Sequence, residues 1–265
     1  MSDERQRATG TGGGRREVTD AAQAREALRG VLEQARSAVF FGGAGVSTES
    51  GIPDFRSAHG VYRTSSGVGY PPETIVSHSF FQAHPQEFWR FYRSKMVFPD
   101  ARPNACHRKL AELERAGHLA GVVTQNIDGL HQAAGSRAVV ELHGSVHRNH
   151  CQGCGRGFDL TQTLAAADAS ADGIPRCPAC GGTVKPDVVL YEEPLDEATM
   201  LRAARLIDAA DVLVVAGTSL AVWPAAGFIE YFHGSALVVA NLSPTSADAQ
   251  ADLVVRVPVG EAFDW

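Results

Sequence analysis

Four cysteines stand in two C-x-x-C pairs, Cys151 with Cys154 and Cys177 with Cys180. Each pair can form a turn that presents two thiolates, and two such turns complete a tetrahedral four-sulfur shell suited to Zn²⁺. A closed shell leaves no position for water, so the expected zinc is structural. His147 and His150 lie nearby but are read as surface residues. The fifth cysteine, Cys106, is read as a small buried hydrophobe. A second group of reactive side chains follows short apolar runs: Gly43-Ala44-Gly45-Val46-Ser47, Thr124-Gln125-Asn126-Ile127-Asp128, Glu141-Leu142-His143-Gly144, Gly217-Thr218-Ser219 and Asn241-Leu242-Ser243. Among these, His143 stands out, because an imidazole with an ordinary pKa near about 6.5 can accept a proton at physiological pH.

The elements that must position these groups are legible in the hydropathy pattern. Continuous apolar runs occur at 38–41, 120–123, 138–140, 212–215, 236–239 and 253–255. Strands apolar on both faces belong to a parallel sheet covered by helices. A helix capped by Thr19 or Asp20 and running to about Arg36 precedes the first, with Ala27, Leu28, Val31 and Leu32 on one face. The expected fold is α/β: a doubly wound, Rossmann-like parallel sheet of about six strands with a smaller inserted zinc-ribbon and helical lobe. Residues 18–55, 104–145 and 185–265 are assigned to the sheet domain, 56–103 to a helical and cofactor-loop insertion, and 146–184 to the zinc-binding module. Residues 1–17 read as a disordered tail. In an open α/β sheet, ligands bind at the carboxyl ends of the strands. Five strands delivering Gly, Ser, Thr, Asn, Asp and His to one edge therefore imply a ligand crevice.

Composition narrows the class. The 265 residues are 44% hydrophobic and 20% charged, enough to bury a core. The net charge of −6 argues against general affinity for nucleic acid or an anionic membrane. No apolar run reaches the roughly 18 residues of a membrane span, and the polar N-terminus lacks the apolar stretch of a secretory signal. A cytoplasmic protein is expected. The Gly-rich loop suggests a phosphate, but its match to G-x-G-x-x-G is incomplete: Thr48 holds the third position, and the acid about 20 residues on is missing. A plain tight turn remains an alternative for this loop taken alone.

Together these segments resemble the sirtuin family. The carriers are Gly43-Ala44-Gly45-Val46-Ser47 running on through Gly51-Ile52-Pro53-Asp54-Phe55-Arg56, then Thr124 to His131, Glu141 to Gly144, the Cys pairs, Lys185 to Val189, Gly217 to Leu220 and Asn241 to Ser243. The resemblance implies NAD-dependent removal of acyl groups from protein lysines, with transfer to ADP-ribose and release of nicotinamide. It makes His143 the general base, has Asn126 orient the ribose and a water, and has Asp128 bind the nicotinamide carboxamide. Phe55 would shield the reacting carbon. Gly43, Ala44, Gly45, Ser47, Asp54, Arg56, Gln125, Ile127, Gly217, Thr218, Ser219, Asn241, Leu242, Ser243 and Val259 fall on cofactor positions. Val188, Val189 and Tyr191 would line the channel for an acylated-lysine peptide added as a strand.

The chain departs from the family's pattern at Gly42, where Thr is usual, and at Tyr191-Glu192-Glu193, where Phe-Gly-Glu is usual. Members that remove succinyl or malonyl groups carry Tyr-x-x-Arg. Here Tyr92 matches and Lys95 takes the Arg position, where it cannot make the bidentate planar pairing. By the same resemblance Val76 stands where those members have a small residue, which would narrow the pocket, whereas Ala58-His59-Gly60-Val61-Tyr62 resembles the loop of the acidic-acyl members. Deacetylation is the main expectation and desuccinylation or another deacylation the alternative. ADP-ribosyl transfer to protein, a hydride-transferring dehydrogenase and a zinc ribbon that reads nucleic acid are further readings. The last is opposed by the net charge and by only Arg156 and Arg176 lying between Cys151 and Cys180.

Overall fold

The computed structural model describes residues 16–57, 60–63 and 66–265. The loop resemblance at Ala58 and His59, and residues 1–15 of the expected tail, lie outside the described residues. Among the described residues, ten strands form two sheets. The larger holds β1 (Arg16–Val18), β2 (Ala38–Gly42), β3 (Leu119–Thr124), β4 (Val139–Glu141), β8 (Val212–Ala216), β9 (Ala236–Ala240) and β10 (Leu253–Val255). Its order is β1-β10-β9-β8-β2-β3-β4, and every pairing in it is parallel. From β2 the chain runs outward to β3 and β4, then returns to β8 on the other side of β2 and continues to β9 and β10. The order therefore reverses between β2 and β8, which makes that boundary the switch point where a crevice opens.

The six apolar runs coincide with β2, β3, β4, β8, β9 and β10, and the sheet gains a seventh strand. Arg16 and Glu17, assigned to the tail, instead pair with Leu253 and Val254 as part of the edge strand β1. Such a short polar strand has no hydrophobic signal of its own and exists because β10 offers an open edge. Successive residues point to opposite faces. Thus Phe40, Val122, Val214, Val238 and Val255 face one core, while Phe41, Val123, Val215, Val239 and Val254 face another.

Helices α1 (Ala21–Leu32) and α5 (Ala105–Ala116) contribute to the first core, together with the terminal turn α9 (Val259–Ala262). Helix α8 (Glu197–Asp208) covers the second. Asp20, not Thr19, caps α1 by accepting from Gln23 N at 2.9 Å. The helix stops at Leu32 and not at Arg36, because the Arg36 and Ser37 amides turn to the Asp211 carboxylate at 2.9 and 3.0 Å.

The smaller sheet is antiparallel: β5 (Gly144–Cys151) lies between β6 (Gly157–Asp159) and β7 (Val184–Val188). Around it pack α2 (Pro72–Ile75), α3 (His78–Ala83), α4 (Pro85–Lys95) and α7 (Leu160–Asp168). Residues of both insertions share one aromatic cluster, in which Phe80, Phe81, Phe88, Trp89, Phe91 and Tyr92 meet Val146, Leu160 and Val188. The short helix α6 (Leu130–Ala134) follows the β3 loop.

Candidate active site

The loops after β2, β3, β8 and β9 meet at the carboxyl edge of the large sheet. They enclose a cavity of about 920 Å³ that extends under the helical lobe. The loops approach one another closely. Gly45 N donates to Gly217 O at 2.8 Å, and a Cβ on Gly45 would stand 2.8 Å from the Gly217 Cα. Gly217 has φ +59° and a Cβ there would collide with the Val46 amide. Glycine at both positions lets two strand-end loops share one wall.

Within this wall the side chains fix one another. Ser47 Oγ donates to Asp128 Oδ2 at 2.7 Å and accepts from Asn126 Nδ2 at 3.0 Å. Thr124 Oγ1 accepts from Asn126 N at 3.0 Å, and Asp128 Oδ1 accepts from Leu130 N at 2.9 Å. Gln125 Nε2 donates to Thr218 Oγ1 at 3.1 Å, linking the loops after β3 and β8. Burial pushes the Asp128 carboxyl up from its ordinary value, opposed by the bonds from Ser47 and the Leu130 amide.

His143 follows β4, and its Nδ1 lies 2.9 Å from the Gln125 carbonyl oxygen. A carbonyl only accepts, so the ring proton belongs on Nδ1 and Nε2 keeps its lone pair. Burial holds the imidazole below 6.5, only partly offset by that bond. The next residue, Gly144, has φ +77°, and a Cβ there would run into the Asp187 carbonyl.

The structure brings nearly all the sequence-derived positions to this one cavity. Its wall contains Ala44, Gly45, Ser47, Asp54, Phe55, Arg56, Gln125, Asn126, Ile127, Asp128 and His143. It also contains Tyr92, Lys95, Val188, Val189, Tyr191, Gly217, Thr218, Ser219, Asn241, Leu242, Ser243 and Val259. Gly43 is the exception. It packs behind the wall, where a Cβ would lie 2.7 Å from Thr218 Cβ, so its role is to admit the neighbouring loop. Sequence reasoning missed Trp223, which lines the cavity while 70% exposed. It also missed that Tyr62 lines the cavity, with its ring packed edge-on against Phe55 at 5.3 Å. Trp223 sits inside the apolar stretch Leu220–Ile229, so nothing local set it apart from a core residue.

The sulfur atoms of Cys151, Cys154, Cys177 and Cys180 lie within 4.8 Å of one another. The Cys151–Cys180 and Cys154–Cys177 separations are 3.4 and 3.7 Å. A tetrahedron with Zn–S bonds of about 2.3 Å has edges of about 3.8 Å, so the four thiols fit Zn²⁺.

The fold and site define an α/β protein with a nucleotide-type crevice at a sheet switch point and a separate four-cysteine metal module. Residues 43–224 match the Sir2 family. A Clostridium acetobutylicum protein named NAD-dependent protein deacetylase is 53% identical over 237 residues, covering 89% of this chain and 95% of the relative. A protein of the same name from Cutibacterium acnes is 53% identical over 238 residues, covering 90% and 95%. A solved structure described as "Sir2-p53 peptide-NAD+" superposes with a TM-score of 0.78 at 36% identity, covering 89% of this chain and 94% of that one. The chain belongs to the Sir2 family.

Proposed function

We propose that the chain is an NAD-dependent protein lysine deacetylase that transfers the acetyl group to ADP-ribose and releases nicotinamide. The observation that carries this reading is His143, set in the wall of the cavity with Nδ1 tied to the Gln125 carbonyl and Nε2 left as a base. The relatives' shared name and the likeness to a structure with NAD and peptide support it.

The cavity, about 920 Å³ and walled by the loops after β2, β8 and β9, suits a dinucleotide. Bound NAD would supply an electrophilic ribose carbon and nicotinamide as the leaving group. His143 Nε2 would take a proton from a ribose hydroxyl. Asn126 is held through both its backbone amide and its side chain, and so can orient the ribose and a water. The Asp128 carboxylate, held by Ser47 and Leu130 N, would accept from the nicotinamide carboxamide. Phe55 and Arg56 would cover the reacting carbon and the phosphates. Asn241, Leu242, Ser243 and Val259 would hold the adenosine end. Val188, Val189 and Tyr191 would receive the peptide as an added strand. Zinc, closed off by four sulfurs, would hold the smaller sheet together and take no part in the chemistry. Substrates are proteins carrying acylated lysines. Among the described residues no helix is long and apolar enough to cross a membrane. Free thiols set for a metal fit the reducing cytoplasm, which we assign as the compartment.

One observation favours a second acyl class. The Tyr92 hydroxyl is buried, belongs to a residue of the cavity wall, and has no hydrogen-bond partner among the described residues. Lys95 lines the same wall. An acyl group with a terminal carboxylate, such as succinyl, would give both a partner. The test is mass spectrometry of matched acetyl-lysine and succinyl-lysine peptides, each with and without NAD. Loss of the acyl group only with NAD, with nicotinamide and acyl-ADP-ribose appearing together, is expected, with acetyl preferred. Nicotinamide release with both peptides unchanged would overturn the deacylase reading.

A further inference from the structure

Among the described non-glycine residues, Glu192 and Leu220 have positive φ, at +75° and +51°. Glu192 occupies the position where the usual Phe-Gly-Glu has its glycine. An L side chain in the left-handed region is strained, so it persists only where the surroundings hold it. The Glu192 carboxylate accepts from Ser79 N at 2.8 Å and from Ser79 Oγ at 2.9 Å.

Its two neighbours grip the same segment. Tyr191 N donates to Val76 O and His78 N donates to Tyr191 O, both at 2.9 Å. Glu193 Oε1 meets His78 Nδ1 at 2.8 Å, while its other oxygen accepts from Lys185 Nζ at 3.0 Å and Leu190 N at 2.9 Å. Three successive residues thus fasten residues 76–79 to the strand that ends in Val188. Val76 is buried in the cavity wall, and α4, which follows, brings Tyr92 and Lys95 to the same wall. The two backbones that flank the acyl end of the cavity are therefore held at a fixed separation. The tether at Glu192 depends on its side chain, because a glycine there would make no such contact.

We propose that Glu192 is a positioning residue that sets the length of acyl chain the cavity admits, by clamping Ser79 and so holding Val76 against the Val188–Leu190 segment. This rests on the deacylase reading. Glu192 acts through Ser79, so its signature is a change in preference between unbranched aliphatic acyl groups, which a purely structural residue would not produce.

Glu192→Gly tests the idea cleanly. Glycine is at ease at φ +75°, so the substitution removes the clamp and the strain together and the protein stays folded. The measurement is kcat/KM for acetyl-, butyryl- and hexanoyl-lysine in one peptide sequence at saturating NAD. The hexanoyl-to-acetyl ratio is expected to rise about fivefold. Glu192→Gln keeps an acceptor for Ser79 and is expected to shift the ratio less. An unchanged ratio in Glu192→Gly with wild-type melting would overturn the proposal. If the wild type removes no acyl group with NAD, the functional reading fails instead, and the clamp is then read by amide hydrogen exchange. Exchange at His78 and Ser79 is expected about tenfold faster in Glu192→Gly, and unchanged exchange would overturn the clamp on its own.

Discussion

The Nδ1 atom of His143 sits 2.9 Å from the backbone carbonyl oxygen of Gln125, the residue that also ties the β3 loop to Thr218. This bond fixes the tautomer, and burial keeps the ring below 6.5. A base works only when neutral, so lowering its pKa extends the active form toward acid. The acidic limb of kcat/KM against pH is expected to have its midpoint below 6.5. His143→Ala is expected to lose about 10² to 10⁴ in turnover with its melting preserved. A midpoint above 6.5, or turnover at the wild-type level in the variant, would remove His143 from the role.

The four-sulfur cluster predicts a second outcome. Its ligands come from two turns on either side of α7, so the metal joins segments that the small antiparallel sheet alone holds weakly. Replacing Cys151 and Cys154 with Ser is expected to reduce bound zinc from about one per chain to near zero. Melting should fall with it, because a structural metal contributes folding free energy directly. Metal analysis and a thermal scan on the same sample decide this, and unchanged zinc content would refute the site.

Arg256 carries a third. Its guanidinium donates to the Asn241 carbonyl at 2.8 Å and the Ser243 carbonyl at 3.1 Å, and pairs with Asp248 and Glu17. It therefore sets the shape of the loop proposed to hold the adenosine end of NAD. Arg256→Met leaves the buried Asp248 carboxylate without its cation, a loss of about 3–5 kcal/mol when one partner of such a pair is removed. KM for NAD is expected to rise more than kcat falls. A variant with unchanged KM for NAD would make Arg256 a stability residue only.

Much of this was legible locally. Phe40-Phe41 and Val214-Val215 are apolar on both faces, which a parallel sheet requires, and the chemistry-bearing residues directly follow such runs. The cysteine pairs needed only their spacing. What stayed hidden depends on distant partners. Arg16–Val18 becomes a strand only beside β10, the end of α1 is decided by Asp211, and Tyr62 meets the Tyr191 hydroxyl at 3.1 Å across 129 positions of sequence. At Gly43 the fingerprint marks close approach without naming what approaches, and in the structure Thr218 and Gly217 crowd it.

His107 and His131 were equally invisible, since neither stands in a motif that brings the two together. Their rings lie with centroids 4.7 Å apart and tilted by 55°, and His131 also makes an edge-type contact with Phe40 at 6.1 Å. His107 Nδ1 pairs with Asn104 Oδ1 at 2.9 Å, whereas neither ring nitrogen of His131 has a partner among the described residues. Burial, aided by Arg108, pushes His107 down to about 4, and burial with His107 alongside pushes His131 down to about 3. Both are therefore neutral when folded and take up protons only on unfolding as pH falls below their ordinary 6.5. Their contribution to stability is complete above 6.5 and is lost progressively between 6.5 and about 3 to 4. At its steepest the pair contributes a slope of about 2.7 kcal/mol per pH unit, two protons at about 1.36 each. His131→Phe keeps an aromatic ring in place and removes one proton from that balance. Denaturant unfolding at successive pH values from 7 to 5 is expected to show the slope reduced by about half of the pair's contribution. A variant whose stability falls with pH as steeply as the wild type would show that His131 does not titrate on unfolding.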